Sequence, residues 1–368
     1  MPTIAYLPET LFTGKEFLSG HAVLVNDDTI EAILPATRLP AGTPVQHFPG
    51  ATLAPAFIDI QIYGANKKLL AVHPTADALQ DLYNYCAAGG APLFQPTVAT
   101  NTTEVFHHAI DAVRSYWQQG GKGCIGLHVE GPWISMEKRG AHLPQCVHAP
   151  TVEEAKALLE YGKGVITMIT LAPEVCSPEV IALVQSYGVV VSAGHSSASF
   201  AQANQAFNEQ GIGVATHMYN AMSALQHREP GLAGALMLHP SAMASIIPDG
   251  YHVDYAAIRI AKQLMGDRLF AITDAVTETS EGGYPHQLAG DKYESNGILS
   301  GSALTMHKAF VNLVQHCAIP VAEALRMCSL YPARVMKLDG QYGTIAPGCK
   351  ANFVILEASL QLVATIAV

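Results

Sequence analysis

The chain is short of charge. Of its 368 residues only 14% are Asp, Glu, Lys or Arg, and no run of basic residues occurs. The formal net charge is −10, so nothing supplies the cationic stripe that a nucleic-acid-binding surface needs. An acidic balance does not exclude an anionic substrate, but it requires the binding charges to be local. Apolar runs of 18 residues are also missing, and Met1 to Gly14 has no charged start followed by a long apolar stretch. Neither a membrane span nor a signal peptide is expected, and the protein is read as cytoplasmic. Paired cysteine motifs are absent too. The seven cysteines are dispersed, with no Cys-x-x-Cys, as reduced core thiols in a cytosolic protein would be.

What is present is apolar. Hydrophobic residues make up 49% of the chain, enough for a large core, and 31 Gly with 22 Pro suit a fold with many strand–helix connections. The length exceeds one minimal domain and fits a barrel with a small appended domain. Histidine is plentiful at 16, so its positions matter more than its number.

Ala22–Val25 and Thr29–Leu34 flank Asn26-Asp27-Asp28 and read as a β-hairpin. Leu53–Ile62 is an apolar strand, followed by strand patterns at Ala91–Val98, Gly123–Val129, Val165–Leu171, Val189–Ala193, Gly213–Thr216, Ala244–Ile247 and Phe270–Thr273. Amphipathic helix patterns lie between them, among them Thr75–Ala88, Thr102–Gln119, Val152–Gly162, Ser177–Tyr187, Ser197–Glu209 and Tyr255–Met265, with Leu304–His316 after them. Eight strands separated by helices predict an α/β fold, a (β/α)8 TIM-like barrel, over residues 53–340. Thr344–Leu356 returns to a β pattern. Residues 1–52 and 341–368 are therefore expected to form one small β-sandwich domain from both chain ends.

Active sites of such barrels lie at the C-terminal ends of the strands. Here successive strands end in ligand or acid–base residues: His128-Val129-Glu130-Gly131-Pro132, Gly194-His195-Ser196, His217-Met218-Tyr219-Asn220, Asp249-Gly250-Tyr251-His252 and Asp274-Ala275. A lone strand-end histidine is usually a packing residue, but random placement would not repeat the pattern strand after strand. Glu130, His195 and His217 offer one carboxylate and two imidazoles, a set suited to a divalent ion with an open position. Zinc is the first choice, with iron(II), cobalt or manganese also compatible. Asp274 could take a proton from water and pass it to a leaving nitrogen.

At these residues the chain resembles N-acetylglucosamine-6-phosphate deacetylases of the amidohydrolase superfamily. The resemblance spans essentially the whole chain. It is carried by Gly126-Leu-His-Val-Glu-Gly-Pro-Trp133, Ser192-Ala-Gly-His-Ser196, Thr216-His-Met-Tyr-Asn-Ala-Met222, Arg228-Glu-Pro-Gly-Leu-Ala-Gly234, Asp249-Gly-Tyr-His-Val-Asp254, Ile272-Thr-Asp-Ala275, Leu299-Ser-Gly-Ser302 and Leu330-Tyr-Pro-Ala-Arg334. It implies hydrolysis of the acetamide of a small phosphorylated amino sugar, with one divalent metal held by Glu130, His195 and His217 and with Asp274 as acid–base residue. It further implies that His142 helps polarise the acetyl carbonyl. Ala141, Asn220, Ala221, Asp249 and His252 fall in the substrate-binding set, and Leu299 and Gly301 in a substrate-side loop. Arg228 and His252 are aimed at the phosphate, and since such an arginine can come from a neighbouring subunit, a homodimer is implied. A planar arginine fork suits a phosphate bearing about two charges.

The first barrel strand departs from the superfamily pattern. Where many amidohydrolases carry His-x-His for a second metal, this chain has Gln61-Ile62-Tyr63. A single-metal site is expected, with Gln61 hydrogen-bonding water or a metal ligand, and Tyr63 divided between packing and function. Pro55-Ala56-Phe57-Ile58-Asp59 and Ala351-Asn352 are smaller departures away from the chemistry. Open alternatives are an N-acetylgalactosamine 6-phosphate substrate, another amidohydrolase or deaminase reaction, and a non-enzymatic scaffold.

Overall fold

A computed structural model describes residues 3–295 and 297–367. Met1, Pro2, Asn296 and Val368 lie outside it, and with them the extreme ends of the expected small domain. Eight parallel strands form the centre: β1 (Ile58–Ile62), β2 (Leu93–Ala99), β3 (Leu127–Glu130), β4 (Ile166–Leu171), β5 (Val190–Ala193), β6 (Val214–Ala215), β7 (Met243–Ile246) and β8 (Leu269–Ala271). Each pairs with the next in chain order. The circle closes just past β8, where the Asp274 N–H donates to the Gln61 carbonyl at 3.0 Å and the Tyr63 N–H to the Ala275 carbonyl at 2.9 Å. A buried carboxylate reinforces that seam: Asp59 accepts from the Thr273 hydroxyl at 2.5 Å and from the Thr273 N–H at 3.2 Å. The barrel and helices expected from the alternating pattern are therefore present.

The helices begin where the sequence offers capping oxygens. Thr75, Thr102, Thr151, Ser177, Ser199, Asp254 and Thr305 each accept a first-turn N–H. Their apolar faces bury Leu79 and Leu82, Ile110 and Val113, Leu158, Ile181, Phe207, Ile258 and Phe310 against the barrel.

Two elements differ from the sequence reading. The apolar run Leu53–Ile62 is not one strand. Its first part ends the strand Val45–Pro55 of another sheet, and its last part is β1. Ala56 and Phe57 make the step, donating to the Asn352 and Gly90 carbonyls instead of a continuous ladder. The helix Gly231–Leu238 had no visible pattern because all but its last residue are buried, which removes the polar face.

Both chain ends share a seven-stranded sheet. Along its main path the order is Leu362–Ala367, Asn352–Glu357, Val45–Pro55, Ile4–Phe12, His21–Asn26 and Thr29–Pro35, with Phe17–Ser19 paired to Ile4–Phe12. The expected hairpin across Asn26-Asp27-Asp28 is present. One face of the sheet packs Leu11, Val23, Leu53, Phe353 and Ile355, while Ala5, Ala22 and Leu24 form a separate apolar cluster. Because Val45–Pro55 leads directly into β1, this sheet anchors the strand that carries Gln61.

Candidate active site

The strand-end residues do converge. Glu130 is the last residue of β3, His195 lies two residues past β5, His217 two past β6, and Asp274 three past β8. All four are buried. Gly131, directly after Glu130, has φ +78°, and a Cβ there would lie 2.1 Å from the Thr100 hydroxyl oxygen, so only glycine fits the turn. His195, His217 and Asp274 also turn sharply, with φ of +47°, +37° and +54°. Such conformations cost on the order of 1–3 kcal/mol each and persist only where neighbours impose them. The Ser135 N–H donates to the His195 carbonyl at 2.8 Å, and the His217 N–H donates to the Ser245 hydroxyl at 2.7 Å.

The Glu130 Oε1 atom lies 3.2 Å from Nε2 of His195 and 3.2 Å from Nε2 of His217, and the two Nε2 atoms are 3.1 Å apart. The opposite ring nitrogens fix the tautomers. Nδ1–H of His195 donates to the Lys138 carbonyl at 2.9 Å, and Nδ1–H of His217 donates to the Asn220 carbonyl at 3.1 Å. Each Nε2 then presents a lone pair to the other and to a carboxylate oxygen. Three lone-pair atoms so arranged repel one another unless a cation lies among them. Their spacing also suits one, since a tetrahedral zinc site with bonds of about 2.0–2.1 Å separates its ligand atoms by about 3.3 Å. The residues fit a divalent cation, and these three form the metal-ligand group found among the described residues.

Charge is sharply partitioned here. Burial works against the Glu130 anion, yet His195, His142 and His217 around it pull its pKa well below the usual carboxylate range. Asp274 goes the other way: burial pushes its carboxyl up to about 8, with the Glu130 charge adding and His217 opposing. Burial, with His142 beside it, lowers the pKa of His195. Burial and the two carboxylates raise that of Tyr63 well above normal, which keeps its hydroxyl protonated.

A cavity opens over this centre. Its wall includes Tyr63, Ala141, His142, Asn220, Ala221, His252, Leu299 and Gly301 together with Glu130, His195, His217 and Asp274. The His142 ring centroid lies 4.2 Å from that of His195 with the rings tilted by 51°, the His142 Nδ1 is 2.6 Å from the Thr100 hydroxyl, and its Nε2 is 3.4 Å from Glu130 Oε2. Asp249 stands behind His252 and outside that wall. It accepts from the Tyr251 and His252 N–H groups at 2.9 and 2.8 Å, and its Oδ2 is 2.6 Å from His252 Nδ1. Arg228 is not brought in. It is exposed, and among the described residues no Lys or Arg lines the cavity and no ion pair reaches it. Its neighbour Glu229 is occupied with the N–H groups of Phe200 and Gly231.

Among the wall residues that sequence reasoning missed are Tyr284 and His286. They precede a small antiparallel sheet of Gln287–Ala289, Lys292–Ser295 and Ile298–Ser302 that has no helix–strand alternation to flag it. The Tyr284 hydroxyl donates to the Thr100 carbonyl at 2.5 Å. His286 is buried with Nδ1 2.8 Å from the Ser300 hydroxyl, and burial lowers its pKa to about 4, so it presents a neutral ring.

Comparison with known proteins places this geometry. The amidohydrolase family model matches residues 52–367, and the NagA composite domain model matches residues 9–53. The chain is 32% identical to an N-acetylglucosamine-6-phosphate deacetylase of Haemophilus influenzae, covering 97% of this chain and 96% of that one. It is 30% identical to an N-acetylgalactosamine-6-phosphate deacetylase of Escherichia coli O157:H7, covering 96% and 94%. Among solved structures, an N-acetylglucosamine-6-phosphate deacetylase from Pasteurella multocida superposes with a TM-score of 0.94 at 33% identity, covering 99% and 98%.

Proposed function

The chain belongs to the amidohydrolase family, and we propose that it hydrolyses the acetamide of N-acetylglucosamine 6-phosphate to glucosamine 6-phosphate and acetate, in amino-sugar breakdown. The observation that carries the reading is the convergence of Glu130, His195 and His217 beside a buried, hydrogen-bonded carboxyl, Asp274. We assign one zinc per chain to that group, because one carboxylate and two imidazoles suit it. When bound, a divalent cation supplies Lewis acidity, lowering the pKa of water, polarising a carbonyl and favouring the anion of Asp274.

The chain's own residues do the rest. Asp274 takes the proton of the water that attacks the acetyl carbon and returns it to the nitrogen as the C–N bond breaks, because an amide anion is a poor leaving group. His142 donates to the acetyl carbonyl oxygen from the wall above Glu130. Asn220, Ala221, Leu299, Gly301 and Ala141 orient the sugar. His252, held by Asp249, meets the phosphate.

A phosphate dianion also needs a strong cation, and no Lys or Arg among the described residues lines the cavity. We propose that Arg228 of a second copy supplies it, which makes the working unit a homodimer. We divide the chain into a small domain, residues 1–52 with 341–368, and a barrel domain, residues 53–340. We place the protein in the cytoplasm, where its seven free thiols stay reduced. No helix among the described residues is long and apolar enough to cross a membrane.

A galacto-configured substrate is the second reading, favoured by the relative from Escherichia coli O157:H7. The reaction class is tested by product. Zinc-replete protein should release acetate and free amine in equal amounts from N-acetylglucosamine 6-phosphate and stop when the metal is chelated. Ammonia, or no amine, would remove the proposal.

A further inference from the structure

The two residues that depart from the superfamily pattern, Gln61 and Tyr63, turn inward onto the centre. The oxygens of Glu130 keep different company. Oε1 faces the two imidazole Nε2 atoms, with Gln61 Nε2 also at 3.2 Å, whereas Oε2 lies 2.5 Å from the Tyr63 hydroxyl and 3.4 Å from His142 Nε2. A phenol has one proton to give. Its possible acceptors are Glu130 Oε2 at 2.5 Å and Asp274 Oδ1 at 3.3 Å, and the shorter contact takes it. Gln61 Nε2 has two protons and three acceptors in reach, the Tyr63 oxygen and Asp274 Oδ1 at 2.8 Å each and Glu130 Oε1 at 3.2 Å, and the two shorter contacts take them. Its amide orientation follows from charge, because the carbonyl oxygen in that place would face two carboxylates. A directed chain results: Gln61 donates to Tyr63 and to Asp274, and Tyr63 donates to Glu130.

We propose that Tyr63 is a positioning residue whose hydroxyl occupies Glu130 Oε2, so that the carboxylate offers Oε1 alone to the cation. Through Gln61 the same phenol keeps the ligand Glu130 and the acid–base residue Asp274 in fixed register. The phenol and the amide also fill the corner between those carboxylates with groups that are poor ligands, which limits the centre to one cation. The inference rests on the metal-site reading and does not depend on the identity of the sugar.

Tyr63→Phe removes only the hydroxyl. In substrate-free protein, competition with a chromophoric chelator should show the Zn2+ dissociation constant rising about tenfold to a hundredfold, the range for lost hydrogen bonds to metal ligands. In steady-state assays of the zinc-loaded variant, kcat should fall while KM for N-acetylglucosamine 6-phosphate stays unchanged. Wild-type zinc affinity would overturn the proposal, and so would a raised KM with unchanged kcat, which would make Tyr63 a substrate contact. In a second variant, Gln61→His with Tyr63→His, elemental analysis should count two zinc ions per chain instead of one. One per chain would refute the filled corner. Because the zinc titrations need no substrate, their failure is distinct from a wrong sugar assignment, which acetate release tests separately.

Discussion

Around Glu130 the polar side chains of the strand ends are held by hydrogen bonds within this chain. Both histidines have their Nδ1–H bonded to a backbone carbonyl, Glu130 Oε2 is capped by Tyr63, and Asp274 Oδ1 accepts from Gln61. Around His252 the opposite holds. Asp249 fixes that ring, but no Lys or Arg among the described residues lines the cavity, and Arg228 stands exposed. The difference separates what must be rigid from what must be shared. Proton transfer and carbonyl polarisation need groups placed within a few tenths of an ångström, which strands of one barrel supply. Holding a phosphate needs charge, which in the proposed dimer the exposed Arg228 of another copy would bring.

The largest way to break that contrast is Asp274→Asn. It should lower kcat by about 10²- to 10⁴-fold, the usual worth of general acid–base catalysis, while zinc content by elemental analysis stays near that of the wild type. Turnover close to the wild type would leave the rigid end without its proton carrier. Next is Arg228→Ala. The loss of a charge-assisted contact worth about 1.5–3 kcal/mol should raise KM for the phosphorylated sugar about 10- to 100-fold, and leave the unphosphorylated sugar nearly unaffected. Mixing the two variant proteins, at a substrate concentration well below the raised KM, sharpens the comparison. If Arg228 serves the partner's cavity, hybrids carry one intact site, and activity should rise well above the sum of the separate variants. No recovery in confirmed hybrids would return Arg228 to its own chain. The smallest effect belongs to Asp249→Asn, which acts only through His252. It should raise KM by about threefold to tenfold with little change in kcat, consistent with a lost orienting bond of about 0.5–1.5 kcal/mol.

The same contrast explains what could be read in the sequence. Glu130, His195, His217 and Asp274 were legible because each follows an apolar strand, and parallel strands bring their C-terminal ends together. The first strand was misjudged because Leu53 to Pro55 and Ile58 to Ile62 are equally apolar, and only the tertiary partners of Ala56 and Phe57 divide them. Gly231–Leu238 carries no amphipathic signal when both its faces are buried. Tyr284 and His286 enter the cavity from an irregular segment, where periodicity says nothing. The role of Tyr63 depends on a hydrogen-bond direction, which no spacing encodes. Arg228 was legible as a residue type in a motif, but in the proposed dimer its destination lies beyond a single chain.

The most direct test of the assigned chemistry is acetate release by zinc-replete protein, with N-acetylglucosamine 6-phosphate, N-acetylgalactosamine 6-phosphate and N-acetylglucosamine run side by side. Rapid, chelator-sensitive release from the first alone is the expected result, and it would establish the reaction, the phosphate requirement and the sugar together. Faster release from the galacto sugar would reassign the substrate, and no release from any of the three would contradict the deacetylase assignment.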